Sequence, residues 1–308
     1  MSAELMGILP VLPTPFAADG GIDEAAMKAL VQFAVEAGVS GVVFPGFASE
    51  VENLTSPERS ALLKIVAENA LGHVDVVAGA SARTPADVIQ HGKAAAALGI
   101  QFLMIQTPKE IGSDLAPVQA FLSEVSEALP QAQIILQNAP APRGSDLSPQ
   151  TIINLASAIP QIAYVKEETL PAGPAISHIL ENRPASLKGV IGGGGARYIL
   201  DEYARGACAA MPAIEIADLH VALDRAWREG KRQEARDIYI KTLPLLTLQA
   251  VYRMRLTKFT MMQRGILHNA EVRAPTPEVD AVAKADILAN LAELGIVRSA
   301  STAQDAAE

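Results

Sequence analysis

Apolar residues gather in eight short runs along the chain: GILPVLPT, GVVFPG, VDVVAGA, QFLMIQT, QIILQNA, IAYVKEE, LKGVIGGGG and ACAAMPA. Longer amphipathic segments separate them. Unbroken Val/Ile/Leu runs are what parallel strands look like when both faces are covered, whereas half-solvated antiparallel strands alternate polar with apolar. The intervening segments carry helix punctuation. Ser56-Pro57, Thr84-Pro85 and Ser148-Pro149 each set a capping hydroxyl before a proline whose fixed φ and missing N–H suit a first helical turn. Gly38, Gly72, Gly99 and Gly206 fall where a helix should stop, at positions a left-handed residue fills without penalty. The repeating unit is strand, loop, helix, glycine turn.

Eight such units in about 215 residues predict an α/β fold of the (β/α)8 TIM barrel type. An open doubly wound sheet is the rival, but the loop after the first strand reads TPFAADGG and has no G-x-G-x-x-G. Beyond Ile216 strand-like runs cease, and helical text continues, with a further start at Thr276-Pro277, to Gly295. The expected organisation is a barrel carrying the site over residues 1–230, a C-terminal helical extension over 231–298 and a disordered tail over 299–308.

Composition narrows the function. The 308 residues are 50% hydrophobic and 19% charged with a net charge of -9, enough for a large core and without the basic face that nucleic acid or an anionic membrane would require. The single cysteine, Cys208, excludes an internal disulfide, and the start MSAELMGILP lacks the basic flank and apolar core of a secretory signal. A cytoplasmic protein is expected. His73, His91, His178, His220 and His268 are scattered without ligand spacing, so no metal site is expected. Cys208, Trp227, Met254, Met261 and Met262 read as packing residues.

The run Ile162-Ala163-Tyr164-Val165-Lys166-Glu167-Glu168 ends an apolar strand on a lysine and two acids. Barrel chemistry sits at the C-terminal strand ends. Strand alternation puts Lys166 and Glu168 on one face and Glu167 on the other. A desolvated lysine is a candidate to attack a ketone and form a Schiff base, and a carboxyl on its face is a candidate proton carrier, although it also favours the ammonium. The same residues equally fit a solvated strand end.

Four motifs in order, Gly7 to Thr14-Pro15-Phe16 and Asp19-Gly20, Gly46-Phe47-Ala48-Ser49-Glu50, Asn138-Ala139-Pro140 and Val165-Lys166-Glu167, resemble the dihydrodipicolinate synthase and N-acetylneuraminate lyase family. The resemblance spans Gly7 to about the 240s. It implies a barrel with added C-terminal helices, Schiff-base chemistry on a 2-keto acid with Lys166 as the imine-forming lysine, no metal or organic cofactor, and a homotetramer. It also implies that Ala48 and Ser49 hold the substrate carboxylate. The departures matter: family aldolases and synthases carry two threonines where this chain has Phe47-Ala48, a tyrosine where it has Gln137, and a second tyrosine in the loop that here reads Thr107-Pro108-Lys109-Glu110-Ile111. Their proton relay is absent, and glutamine cannot shuttle a proton near neutral pH.

Gln137-Asn138-Ala139-Pro140-Ala141, Ser49-Glu50 and a lysine followed two residues later by glutamate are similar to the branch that contains 2-keto-3-deoxyarabonate dehydratase. This resemblance implies that Glu168 is the general acid/base of a hydro-lyase. The expected reaction is dehydration of a 2-keto-3-deoxy sugar acid, most simply a pentonate, to 2-oxoglutarate semialdehyde. An aldolase releasing pyruvate, an imino-acid deaminase and a non-catalytic keto-acid binder stay open. Gln137, Gly193 and Phe47 are further candidate substrate contacts, and the Gly192–Gly195 loop is a candidate anion site. Arg143 lies one position from a carboxylate-binding arginine of the synthases, and Glu215 could meet a distal hydroxyl or serve as a helix N-terminal acid.

Overall fold

A computed structural model describes residues 4–297; the tail at 299–308 lies outside the described residues. Eight parallel strands form one sheet: β1 (Gly7–Ile8), β2 (Gly41–Phe44), β3 (Asp75–Gly79), β4 (Phe102–Ile105), β5 (Gln133–Asn138), β6 (Ile162–Glu167), β7 (Gly189–Gly192) and β8 (Ala209–Ala210). Their order is β1-β8-β7-β6-β5-β4-β3-β2, with each neighbouring pair parallel. The two ends meet just past β1, where Val11 bridges Val43 in parallel and the Leu12 N–H donates to the Val43 carbonyl at 3.0 Å. A (β/α)8 barrel with a C-terminal helical extension results.

The helices between strands are α1 (Glu24–Glu36), α2 (Ser56–Ala70), α3 (Pro85–Ala97), α4 (Leu115–Ala128), α5 (Pro149–Ala158), α6 (Ala172–Asn182) and α7 (Ile199–Ala204). Thr84 and Ser148 cap α3 and α5 by accepting from the Asp87 and Thr151 N–H groups. For α2 the cap is one residue earlier than the proline pattern suggests: Thr55 accepts from the Glu58 N–H while the Glu58 carboxylate reaches back to the Thr55 N–H, a capping box that outcompetes Ser56. Past α8 (Ala217–Arg228) come α9 (Arg232–Tyr252), α10 (Met254–Gln263) and α11 (Ala281–Glu293). The last of these begins at Asp280, whose side chain caps it, and not at Thr276-Pro277.

The core has two principal layers. Leu9, Val43, Val77, Met104, Ile135, Tyr164 and Ile191 fill the barrel interior, while Val42, Leu103, Leu136, Val165 and Val190 face the helices. Strand alternation produces this split, with one irregularity that matters for the chemistry. Ile134 pairs with Ile162 but Ile135 pairs with Tyr164, so Ala163 is an extra residue, a bulge. Ala163 and Tyr164 both enter the interior cluster, and from Tyr164 onward the phase is inward, outward, inward. Lys166 therefore points into the barrel.

Candidate active site

Lys166 sits opposite Gln137 on β5 and Ile191 on β7 and is 4% exposed. Its Nζ lies 3.4 Å from Oε1 of Glu168, one residue past the strand. Oε2 of Glu168 accepts from Gln137 Nε2 at 2.6 Å and lies 3.5 Å from Arg143 Nη2. Burial acts most strongly on this carboxyl and pushes its pKa up, but Lys166, Arg143 and the Gln137 amide together outweigh it and hold the group below the ordinary carboxylate range. At neutral pH Glu168 is a carboxylate, in the form of a base. Glu167 faces the other way. It accepts from Asn138 Nδ2 at 2.9 Å and the Thr169 N–H at 2.7 Å, and burial raises its pKa. With Asn138 also bonded both ways to the Leu147 backbone, this clasp fixes the loop after β5 that carries Arg143.

These groups open on a cavity of about 420 Å³ at the C-terminal end of the strands. Ala48, Phe47, Arg143, Lys166 and Glu168 line it. Phe47 is 40% exposed at the mouth, its ring 4.9 Å from the Arg143 guanidinium and 5.3 Å from that of Arg253. Gly193 supports Glu168 from below, since a Cβ built there would meet Glu168 Cγ at 2.4 Å. Gln137 acts on Glu168 and is not itself in the cavity wall.

Several sequence readings change here. Ser49 is fully buried and outside the lining; its hydroxyl donates to the Leu12 carbonyl at 2.5 Å and accepts from the Gly46 N–H, and its own N–H donates to Gly46. It holds the turn that presents Phe47 and Ala48 and has no hydroxyl proton to spare for substrate. Glu50 is likewise inward, accepting from Lys258 Nζ and from the Arg273 and Ala274 N–H groups, and so ties the extension to the barrel. Glu215 neither lines the cavity nor caps a helix; it accepts from Thr257 Oγ1 at 3.1 Å. The glycine loop is a 3-10 turn, Gly194–Ala196, ahead of the short α7, and its Gly194 and Gly195 line the cavity. Among the described residues no group of three or more His, Cys, Asp or Glu could hold a metal, and no helix is long and apolar enough to cross a membrane.

The pattern common to the Dihydrodipicolinate synthetase family matches residues 4–294. The chain belongs to that family. Its members are lyases, and this barrel is one of them. An L-2-keto-3-deoxyarabonate dehydratase of Azospirillum brasilense is 30% identical over 287 residues, covering 92% of both chains. A 4-hydroxy-tetrahydrodipicolinate synthase of Maridesulfovibrio salexigens is 26% identical over 94% of this chain and 99% of its own. The fold matches a solved dihydrodipicolinate synthase of Rhodopseudomonas palustris at a TM-score of 0.87 with 23% identity, over 94% of this chain and 97% of that one. It also matches an N-acetylneuraminate lyase of Proteus mirabilis at 0.84 with 20% identity, over 96% and 100%.

Among the cavity groups that escaped sequence reasoning, four lie in the outer helices or at their junction. Arg253, Gln249 and Met254 come from the junction of α9 and α10, where Arg253 takes φ 48°. The text QAVYRMR has neither glycine nor proline to announce the break, and Met254 reads as ordinary packing. The fourth, Glu202, stands inside a helical stretch where an acid is unremarkable.

Proposed function

We propose that this lyase works through a Schiff base on Lys166 and dehydrates a 2-keto-3-deoxy sugar acid, with 2-keto-3-deoxy-L-arabonate giving 2-oxoglutarate semialdehyde. The observation that carries the reading is the Lys166–Glu168 pair, 3.4 Å apart and nearly buried at the floor of the cavity. An imine formed at C2 acidifies C3, so a base beside the lysine can take the C3 proton and the resulting enamine can expel the C4 hydroxyl, which leaves as water with that same proton; a proton shift from C5 to C3 and ketonisation of the C4–C5 enol then give the C5 aldehyde, and hydrolysis frees the lysine. Glu168 is that base. Held by Gln137 and Arg143, it stays ionised and oriented whatever happens at the amine.

Cleavage of C3–C4 would instead need a base at the C4 hydroxyl. The β5 position that would carry it is Gln137, whose amide is committed to Glu168. Tyr198 does reach the lining, but from the loop after β7. Ala48 and its turn are the proposed seat of the substrate carboxylate, with Phe47 closing the mouth. The 30% identity to the arabonate dehydratase supports the substrate class, and the matches to synthases leave its finer choice to experiment.

The test is product identity. Purified protein given 2-keto-3-deoxy-L-arabonate should release the semialdehyde, and borohydride with pyruvate should add mass to the peptide holding Lys166. Pyruvate and glycolaldehyde in place of the semialdehyde would make the protein an aldolase, and an unmodified peptide would remove the Schiff base.

A further inference from the structure

Arg197 and Arg253 border the cavity, the first from the loop after β7 and the second from the junction of α9 and α10. Gln249 of α9 joins them: its Oε1 accepts from Arg197 Nη1 at 3.0 Å, and its carbonyl accepts from the Arg253 N–H at 2.8 Å. Neither guanidinium has a carboxylate within ion-pair distance among the described residues. The other acceptor of Arg197 is the Leu246 carbonyl at 3.2 Å, and Glu215 and Glu168 attract it only from farther off. Two cations held by neutral groups at a cavity wall call for an anion.

The chain accepts a cost to keep both side chains there. Arg253 has φ 48° and ψ −122°, a turn conformation that glycine takes without penalty and arginine does not. Gly195 clears Arg197, since a Cβ built on it would meet Arg197 Nη1 at 2.9 Å. At the mouth, the Phe47 ring lies 4.9 Å from the Arg143 guanidinium and 5.3 Å from that of Arg253. Arg143 is answered by Glu168, and Arg253 is not. The volume of about 420 Å³ falls among pockets that take drug-sized ligands, so a five-carbon acid rooted on Lys166 does not fill it.

We propose that Arg197 and Arg253 form a second anion seat at the cavity mouth, which takes the far carboxylate of a 2-keto dicarboxylic acid whose keto end is on Lys166. Guanidinium forks match a carboxylate in both shape and charge. The inference deepens the Schiff-base reading, on which it rests for the keto end only. There the Lys166 amine attacks C2, and the keto oxygen leaves as water to give the iminium. 2-Keto-3-deoxy-L-arabonate ends in a neutral hydroxymethyl group, so these diacids should compete with it for the lysine and bind more tightly than monoacids of their own length.

The test measures how much of each acid halves the borohydride adduct of pyruvate on the peptide holding Lys166. 2-Oxoglutarate, 2-oxoadipate and 2-oxopimelate are set against the monoacids of equal length, 2-oxopentanoate, 2-oxohexanoate and 2-oxoheptanoate. At least one diacid should act at a concentration about tenfold or more below that of its partner. Arg253→Met should bring that ratio close to one. Every matched pair agreeing within about twofold, or an advantage that survives Arg253→Met, overturns the proposal. Should the variant trap no pyruvate, and so fail to fold, the native protein decides: added salt should shrink the ratio, because Arg253 is exposed, and a ratio indifferent to salt overturns the seat. A native protein that traps no pyruvate refutes the Schiff-base reading alone. Calorimetry then decides the seat, which stands if a diacid binds more tightly than its monoacid and loses that advantage in Arg253→Met, and falls if the two bind alike.

Discussion

Gly193→Ala tests the geometry of Glu168, the proposed proton carrier, without touching its charge. The backbone at Gly193, φ −119° and ψ −131°, lies outside the left-handed region, so alanine is refused by space and not by handedness. The added Cβ would stand 2.4 Å from Glu168 Cγ, against an ordinary carbon contact of about 3.5 Å, so the side chain must retreat by about 1 Å. Cγ is the middle of the side chain, and its carboxylate is pinned by a 2.6 Å bond to Gln137, so the displacement passes to the reacting end. Misplacement by about 1 Å costs on the order of 10²-fold in rate. The expected variant turns over 2-keto-3-deoxy-L-arabonate about a hundredfold more slowly, yet traps pyruvate on Lys166 at the native rate, because the three atoms nearest the new Cβ all belong to Glu168. Semialdehyde release and mass-detected borohydride trapping, run side by side, read the two steps. Native turnover would refute the reasoning, and so would parallel loss of both steps.

Three other substitutions probe separate parts of the molecule. Gln137→Leu removes a donor from a carboxylate, worth about 1.5–3 kcal/mol; Glu168 is then held less far below its usual pKa, so the acid limb of the rate profile should move up by about one to two pH units, and an unmoved limb would contradict it. Ser49→Ala should lower stability by about 1–3 kcal/mol in urea unfolding through the orphaned Gly46 N–H; a raised KM with unchanged unfolding would return that hydroxyl to the substrate. Lys258→Met leaves Glu50 ionised among buried groups after losing its 2.5 Å partner, and should cost about 3–5 kcal/mol. Unfolding within about 1 kcal/mol of native would mean that the pair does not hold the extension down.

The strands and helix stops were legible because their causes are local. A strand covered on both faces must be apolar throughout, and a left-handed stop after a helix selects glycine, as at Gly38 and Gly99 with φ 80° and 83°. The inward lysine was legible too, although by a count of two that holds only because the Ala163 bulge precedes Tyr164 and leaves the last residues in phase. What could not be read was long-range competition for polar groups. Ser49 looks like a site residue in a one-dimensional motif that runs on to Glu50, yet the Leu12 carbonyl claims the serine and Lys258, 208 positions on, claims the glutamate. Glu202 was hidden for the opposite reason: nothing in ILDEYA tells which acid turns inward, and the answer lies in Gly192, ten residues earlier, whose missing Cβ leaves space for it.

In the proposed mechanism a carboxylate beside the imine-forming lysine presents a conflict, since the amine must lose its proton to attack a ketone while Glu168 favours the ammonium. The surroundings of Glu168 resolve it. An iminium carries the same charge as the ammonium and in nearly the same place, so the 3.4 Å attraction lost at the neutral amine is recovered once the imine forms. Through the neutral interval Arg143 and Gln137 keep the carboxylate ionised and fixed, so it does not wander or take the proton for good. The pairing that opposes the first step therefore stabilises its product, the electrophile whose C3 proton the same carboxylate then removes. Changing Lys166's partner into a neutral amide should leave the imine accessible and stop the reaction there, and the enzyme would accumulate its own intermediate.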